Sequence, residues 1–362
     1  MLDILLVIAI LVFLIVVHEL GHFIVAKIAR IRVEEFGIGY PPRAFTFAKI
    51  GTTEYTLNWI PFGGFVRLFG DVGQAEHGKG SFVDANRGVQ ALVLVAGVAM
   101  NALAAWILFA GALHAGIPRV VDSATEDASA RLIVANVVHG SPAEAAGIGP
   151  GDEILALEDS KGQHIDELTP EAFAEFVQAR GGREVVATYL HQGATTSAMM
   201  VPAHAVIEDG AKPALGVAIV LVSSQPLPWG EALSKATATT ANAFINTLKG
   251  LGSIALKALS GAPSLTDVMG PIGLVSVVGD AARTGIGEVF ALAAVISVNL
   301  AIINILPIPA LDGGRLAVLG VEAAMRRPAP KLILQLINAI GVGLIILLMI
   351  TVTYQDIGRL IG

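Results

Sequence analysis

No cysteine occurs among the 362 residues. Disulfides and thiolate metal sites are therefore excluded, and any bound metal must rely on His, Asp or Glu. Charge is scarce too: 15% of the residues are charged against 54% hydrophobic, where soluble domains carry about a quarter charged residues. That balance points to membrane insertion. The 23 Lys and Arg are outnumbered by 30 Asp and Glu, for a net charge of −7. Nucleic acid is excluded as a partner on that count, because phosphate binding needs a basic face. The first apolar run lacks the basic n-region and small-residue cleavage site of a signal peptide, so it reads as a retained span. No internal repeat is visible.

What the chain has in abundance is long apolar sequence. Leu2–Ala26, Val89–Leu113, Val289–Leu306 and Leu332–Val352 each come near the roughly 20 residues a helix needs to cross the hydrocarbon core. Lys27, Arg30 and Arg32 follow the first run, and Arg315, Arg326, Arg327 and Lys331 lie between the third and fourth. With four spans these two loops share a side, which the positive-inside rule makes the cytoplasm. Both termini and the long segment between spans two and three then lie outside.

The intervening segments differ in kind. Residues 33–68 read as strands: Thr53–Trp59 alternates polar and larger apolar residues, and Gly37, Gly39, Pro41, Pro42, Gly51, Gly63 and Gly64 punctuate the run. This predicts a β-hairpin region over 31–88, either a small cytoplasmic sheet or a hairpin dipping towards the membrane beside the catalytic centre. Arg131–Val138, Val185–Tyr189 and Thr196–Val201 read as strands, and Pro170–Ala179 as a helix. Together with Ser141-Pro142-Ala143, Ala146-Gly147 and Gly151-Asp152-Glu153-Ile154, this order resembles a PDZ domain of the type found with bacterial proteases. Such a domain adds extended peptide to a sheet edge as a strand. Residues 229–260 mix Trp229, Leu233, Phe244 and Leu248 with Lys and Thr, which predicts an amphipathic helix at the interface; a fifth span is the weaker alternative, because Glu231, Lys235, Lys249 and Lys257 interrupt it.

The chemistry centres on His18-Glu19-Leu20-Gly21-His22. Helix positions i and i+4 share a face, so His18 and His22 can present two imidazoles to one zinc ion, with Glu19 beside them as a general base. Ionisable residues at the end of an apolar span are costly and usually functional. A catalytic zinc wants a third protein ligand and an open position. His77, His114, His139, His164, His191 and His204 read as ordinary loop or outer-module residues. Asp312 is the better candidate: Pro307 and Pro309 break the third span just before it, and irregular backbone at membrane depth is tolerated where it lines a polar cavity.

These motifs resemble the site-2 protease family. His-Glu-x-x-His stands in the first span and Asn304-x-x-Pro307-x-Pro309-x-Leu311-Asp312-Gly313 at the end of the third, with the PDZ-like module between spans two and three. Within that family the chain is similar to the bacterial regulator of sigma-E protease group. The resemblance implies a polytopic α-helical protein with four core transmembrane helices, a membrane-associated β-hairpin and an inserted extracytoplasmic PDZ domain in the bacterial inner membrane. It implies zinc held by His18, His22 and Asp312, Glu19 as base and Asn304 stabilising the oxyanion. It further implies cleavage of single-span membrane proteins of the anti-sigma-factor type, or signal-peptide remnants, with extended peptide captured by the hairpin and the PDZ domain. Gly270-Pro271-Ile272-Gly273 matches a family element before the third core span. Ala96-Gly97-Val98-Ala99-Met100-Asn101 departs from the family's Ala-Gly-Pro-x-x-Asn by Val98 but keeps the Asn. One PDZ domain is expected, where some members have two. The implied layout is span one over 1–30, span two over 89–114, the PDZ domain over 115–205, an interfacial helix and linker over 206–287, span three over 288–315, a cytoplasmic loop over 316–331 and span four over 332–356.

Two other classes compete. A membrane zinc transporter needs polar residues along a path through several spans, and the last span offers little beyond Asn338. A catalytically silent PDZ scaffold has no use for Glu19. Gly149-Pro150-Gly151-Asp152 matches the Gly-x-Gly-Asp of intramembrane aspartyl proteases, but it lies outside any span and reads as a turn of the PDZ-like module.

Overall fold

The computed structural model describes residues 2–71, 76–121, 130–204, 212–260, 270–327 and 330–361. Along the chain come α1 (Leu2–Ile28), β1 (Val33–Ile50), β2 (Thr53–Leu68), α2 (Arg87–Ala115), β3 (Arg119–Val121), β4 (Arg131–Val137), α3 (Pro142–Ala145), β5 (Glu153–Asp159), α4 (Pro170–Gln178), β6 (Val185–His191), β7 (Ala194–Met200), β8 (Val217–Ser223), α5 (Trp229–Leu259), α6 (Pro271–Thr284), α7 (Ile286–Ile305), α8 (Asp312–Met325) and α9 (Lys331–Ile361). They form two compact units, one of Met1–Ala115 with Leu227–Gly362, the other of Gly116–Pro226.

In the first unit, α1, α2, α7 and residues Leu332–Gly358 of α9 are long and apolar enough to cross a membrane. Large apolar side chains such as Leu5, Phe13, Leu103, Ile107 and Val295 stay exposed. A helix that is apolar all round needs apolar surroundings, and lipid supplies them. Small residues bring the helices together. A Cβ on Gly21 would collide with the Ala96 carbonyl, and Ser297 Oγ donates to the Asn101 carbonyl at 2.8 Å. Close backbone approach and short interhelical hydrogen bonds are how helices associate in lipid. Val7, Ile10 and Leu14 of α1 pack with Val278, Val289 and Ala293 in one core.

The β segment is more than a simple hairpin. Glu35, Phe36, Gly37 and Ile38 each stand opposite two residues, respectively Arg67 and Glu54, Val66 and Tyr55, Phe65 and Thr56, and Gly64 and Leu57. The first part of β1 is thus flanked on both sides. The buried Glu35 carboxylate ties the sheet together through Arg43 at 2.9 Å, Arg67 at 3.1 Å and Thr56 Oγ1 at 2.7 Å. Val33 and Leu68 share a core with Ala26, Val93, Leu94 and Leu319. That core holds the end of β2 against α1 and α2.

Two expectations for this unit need correction. Residues 316–331 were expected as a loop, yet α8 occupies most of that stretch. Its polar residues Arg315 and Glu322 masked an amphipathic helix that buries Leu319. The interfacial helix expected within 206–287 is α5, and it is not confined to the bundle's edge. Trp229 stacks on His114 with ring centroids 4.2 Å apart, Trp106 Nε1 donates to Thr237 Oγ1 at 3.2 Å, and Thr247 Oγ1 donates to Asn299 Oδ1 at 3.0 Å. Its Thr residues find partners along α2 and α7, so the helix runs alongside them. Residues 206–211 and 261–269 of that range lie outside the described residues. The Gly270–Gly273 element starts α6. Asp356 of α9 accepts from the Gly270 and Gly273 amides at 3.2 and 2.9 Å, a carboxylate placed where unpaired amides and the helix dipole favour it.

The second unit is a six-stranded antiparallel sheet, in the order β3-β8-β4-β5-β6-β7, with two short helices. Ser141 and Thr169 cap α3 and α4, each accepting from a backbone amide at 3.2 Å, with Pro at the first helical position. Phe173, Phe176 and Val177 of α4 join Leu132, Ile154, Leu157 and Leu221 in the core. The sheet needs β8, which falls in the stretch expected as linker. β8 pairs with β3 and β4, so the unit closes at Pro226 and not near 205. Asp152 of the Gly-x-Gly-Asp turn is buried and structural: it accepts from Gly149 N at 2.8 Å and pairs with His191 at 2.8 Å.

Candidate metal centre and active site

α1 carries His18 and His22 on the face turned to α2. A Cβ on Gly97 would meet His22 Nε2 and come within 2.7 Å of His18 Cε1. Only the absence of a side chain there leaves room for both rings. α7 ends at Leu306, where the backbone turns extended. The chain folds back through Ile308, whose amide bonds the Leu306 carbonyl at 2.7 Å, and α8 begins at Asp312. Gly313 and Gly314 lie directly on the carbonyls of Leu306 and Ile308. This tight return swings Asp312 to the two histidines.

The three side chains converge. His18 Nε2 and His22 Nε2 lie 2.9 and 3.1 Å from Asp312 Oδ2, and 3.1 Å from each other. They are the one such cluster of His, Asp and Glu among the described residues. The donor set suits zinc: ligands about 2.0–2.1 Å from a tetrahedral zinc stand about 3.3 Å apart, close to what is present. His22 Nδ1 donates to the Val93 carbonyl at 2.7 Å, which leaves the lone pair on the Nε2 that faces the cluster.

Glu19 lines a cavity of about 230 Å³ with His22, Asp312 and Arg315. One wall is strand: Gly64, Phe65, Val66 and Leu68 of β2. A Cβ on Gly64 would stand in ordinary contact with Glu19 Cγ, 3.6 Å away, so this stretch of strand lies beside the Glu19 side chain. Asp71 and Arg315, 3.3 Å apart, close one side.

The expected histidines and acids thus meet, but Asn304 does not join them. It sits in the last turn of α7, half-buried, and is not among the residues lining the cavity. The amide that does reach the trio is Asn101, 3.2 Å from His18 Nδ1. The sequence signal for it was an Asn inside an apolar span, four residues after Gly97. His77, His139, His164 and His191 pair with Asp84, Glu144, Asp166 and Asp152, and His114 with the Leu227 carbonyl.

Comparison with known proteins bears on this geometry. The model of Peptidase family M50 matches residues 6–348. The chain belongs to Peptidase family M50. This is the site-2 protease family that the two motifs resemble. A candidate zinc metalloprotease of Clostridium perfringens is 33% identical over 350 residues, covering 95% of each chain. Similar proteins described in the same words occur in Agrobacterium fabrum, at 29% identity over 96% of this chain and 94% of that one, and in a Nostoc species, at 30% over 94% and 91%. Among solved structures, the PDZ domain of an SdrC-like protein from Listeria monocytogenes is 19% identical, covers 24% of this chain and 85% of its own, and has a TM-score of 0.21. Its counterpart from Listeria innocua is 22% identical, with 25% and 92% covered and the same TM-score. This M50 peptidase is therefore a multi-pass membrane protein, and its four apolar helices belong to the first unit.

Proposed function

We propose that this chain is a zinc-dependent intramembrane endopeptidase that cleaves single-span membrane proteins in the bacterial inner membrane. The observation that carries the reading is the convergence of His18, His22 and Asp312 within 3.1 Å, beside Glu19, at the end of an apolar span. Relatives named as zinc metalloproteases support the choice of metal.

His18, His22 and Asp312 would hold the zinc, which when bound supplies Lewis acidity for hydrolysis. Glu19 takes the proton of the attacking water and returns it to the leaving amine. Asn304 is assigned the oxyanion, on the family pattern, which requires it to turn towards the cavity when substrate is present. The substrate helix must unwind before its carbonyl is accessible, because helical carbonyls are already hydrogen-bonded. The strand wall at Gly64–Leu68 offers a place for the unwound segment to lie as an added strand. Exposed Phe45, Phe47, Trp59 and Ile60 on the same sheet favour contact with lipid. The PDZ domain would select substrates by their outer segment. Anti-sigma factors and signal-peptide remnants are the substrate types this reading favours. Purified protein should contain about one zinc, as a three-ligand site requires, and should cut a single-span reporter in detergent until a chelator removes it. Cleavage that persists in zinc-free protein refutes the reading.

The basic residues after α1 and around α8 support a cytoplasmic placement of the metal-bearing ends, with the PDZ domain and both termini outside. A single cysteine at Ser160 should react with an impermeant reagent added outside intact cells. One at Lys79 or Arg327 should react only after permeabilisation; all three positions are exposed. The reverse labelling would invert the topology.

A further inference from the structure

Both metal-facing rings are oriented by one helix. Val93, Gly97 and Asn101 follow one another at intervals of four along α2, so they form a stripe on one face. That stripe lies opposite His18 and His22. Val93 supplies its carbonyl to His22 Nδ1 at 2.7 Å, Gly97 supplies space, and Asn101 supplies its amide to His18 Nδ1 at 3.2 Å. The two histidines thus have matching orienting partners, one from backbone and one from a side chain. Asn101 is fully buried. Its own carbonyl is tied to Ser297 of α7 at 2.8 Å, so three core helices meet at this residue. Its Oδ1 has no hydrogen-bond partner. A buried acceptor left unmet is unfavourable, and such a group asks for an explanation.

We propose that Asn101 is a positioning residue of the metal centre, which presents Oδ1 to the Nδ1–H of His18 when zinc is bound. The inference rests on the zinc-site reading above. Its logic is one of donors and acceptors. His18 Nε2 stands 2.9 Å from Asp312 Oδ2, and an ionised carboxylate only accepts. Without metal, Nε2 therefore carries the proton, and the bare Nδ1 accepts from Asn101 Nδ2. That is the arrangement present. A metal on Nε2 needs that lone pair, so the ring's one proton must then sit on Nδ1 and needs an acceptor. Oδ1 provides it once the amide turns over. The two amide ends exchange by rotation about one terminal bond. An Asn serves both states. A Leu of similar size serves neither, and an Asp serves the metal-bound state only.

The test is zinc affinity, measured by chelator competition on the full-length protein in detergent. N101L should bind zinc about ten- to a hundredfold more weakly, the usual cost of losing a partner to a metal-ligating histidine. The metal-free protein loses the hydrogen bond to His18 Nδ1 in N101L and N101D alike, so both should unfold at a slightly lower temperature and zinc affinity alone should separate them. N101D should recover most of the lost affinity. N101L binding zinc as tightly as the unmodified protein, or N101D binding as weakly as N101L, overturns the proposal. Should N101L fail to fold, nitrogen-15 histidine spectra of the unmodified, zinc-loaded protein decide. The Nδ1 proton of His18 should show a hydrogen-bond coupling to the Asn101 side-chain carbonyl, and a Nδ1 proton without that coupling overturns the assignment. Absence of zinc binding by the unmodified protein would instead sink the metal-site reading itself.

Discussion

Glu19→Gln is expected to abolish hydrolysis while leaving the zinc in place, and Asp312→Ala to lose both. Glu19 lines the cavity with His22 and Asp312, but the converging donor atoms belong to His18, His22 and Asp312. Gln keeps the shape of Glu and cannot accept the proton of water. General-base catalysis contributes about a hundredfold to ten-thousandfold, so turnover of a single-span reporter should fall by at least about two orders of magnitude, or about 2.7 kcal/mol of barrier. Zinc content, read by elemental analysis, should stay at the unmodified level. Asp312 is a different case. It is the one non-histidine donor, and it arrives from the far side of the helix break. Removing it leaves two ligands on one helix, too few for a stable catalytic site. Occupancy and turnover should fall together. The pair also separates the competing classes: a transporter would keep moving zinc with Gln at 19, and a silent scaffold would show no cleavage in any form. Unchanged turnover in Glu19→Gln would remove Glu19 from the chemistry, and full zinc in Asp312→Ala would remove Asp312 from the site.

How much of this was legible in the sequence follows from the range of each interaction. His18 and His22 share a face by helix geometry alone, and His-Glu-x-x-His carries that in five letters. Asp312 lies 294 residues from His18. The break at Pro307 and Pro309 made it the candidate third ligand, and the family resemblance assigned it to the zinc. The spans were legible because lipid imposes a length and a composition. β8 was not, because its partners β3 and β4 lie about eighty or more residues upstream and no local pattern records such a pairing. α8 was missed because residues up to 315 were counted with the third span and 316–331 as a loop, whereas Gly313 and Gly314 let the chain fold back and start a new helix. Asn101 was seen as a retained letter of a motif. Its work became visible only when α1 and α2 were set side by side.

That same helix pair yields a second large effect, at a residue that binds nothing. Gly97→Ala is expected to disable the site. On propensity alone the change should help, since Ala is favoured over Gly in a helix interior by about 1 kcal/mol. The new Cβ, however, would overlap His22 Nε2 and stand 2.7 Å from His18 Cε1. The rings cannot simply yield, because His22 is held by Val93 at 2.7 Å and His18 by Asn101. α2 cannot easily withdraw either, because Gly21 lies directly on the Ala96 carbonyl one residue away. The rings must then leave the geometry in which Nε2 faces Asp312. Displacing a ligand should cost at least as much as losing its orienting partner, so zinc affinity should drop by about a hundredfold or more, and activity with it. Gly250→Ala is the control: it too sits within a helix, and its Cβ would meet nothing within 4 Å. It should gain helix stability and keep zinc. Gly97→Ala binding zinc at the unmodified affinity would mean that α2 does not hold the histidines against Asp312, and that the ring positions are set by α1 and the metal alone.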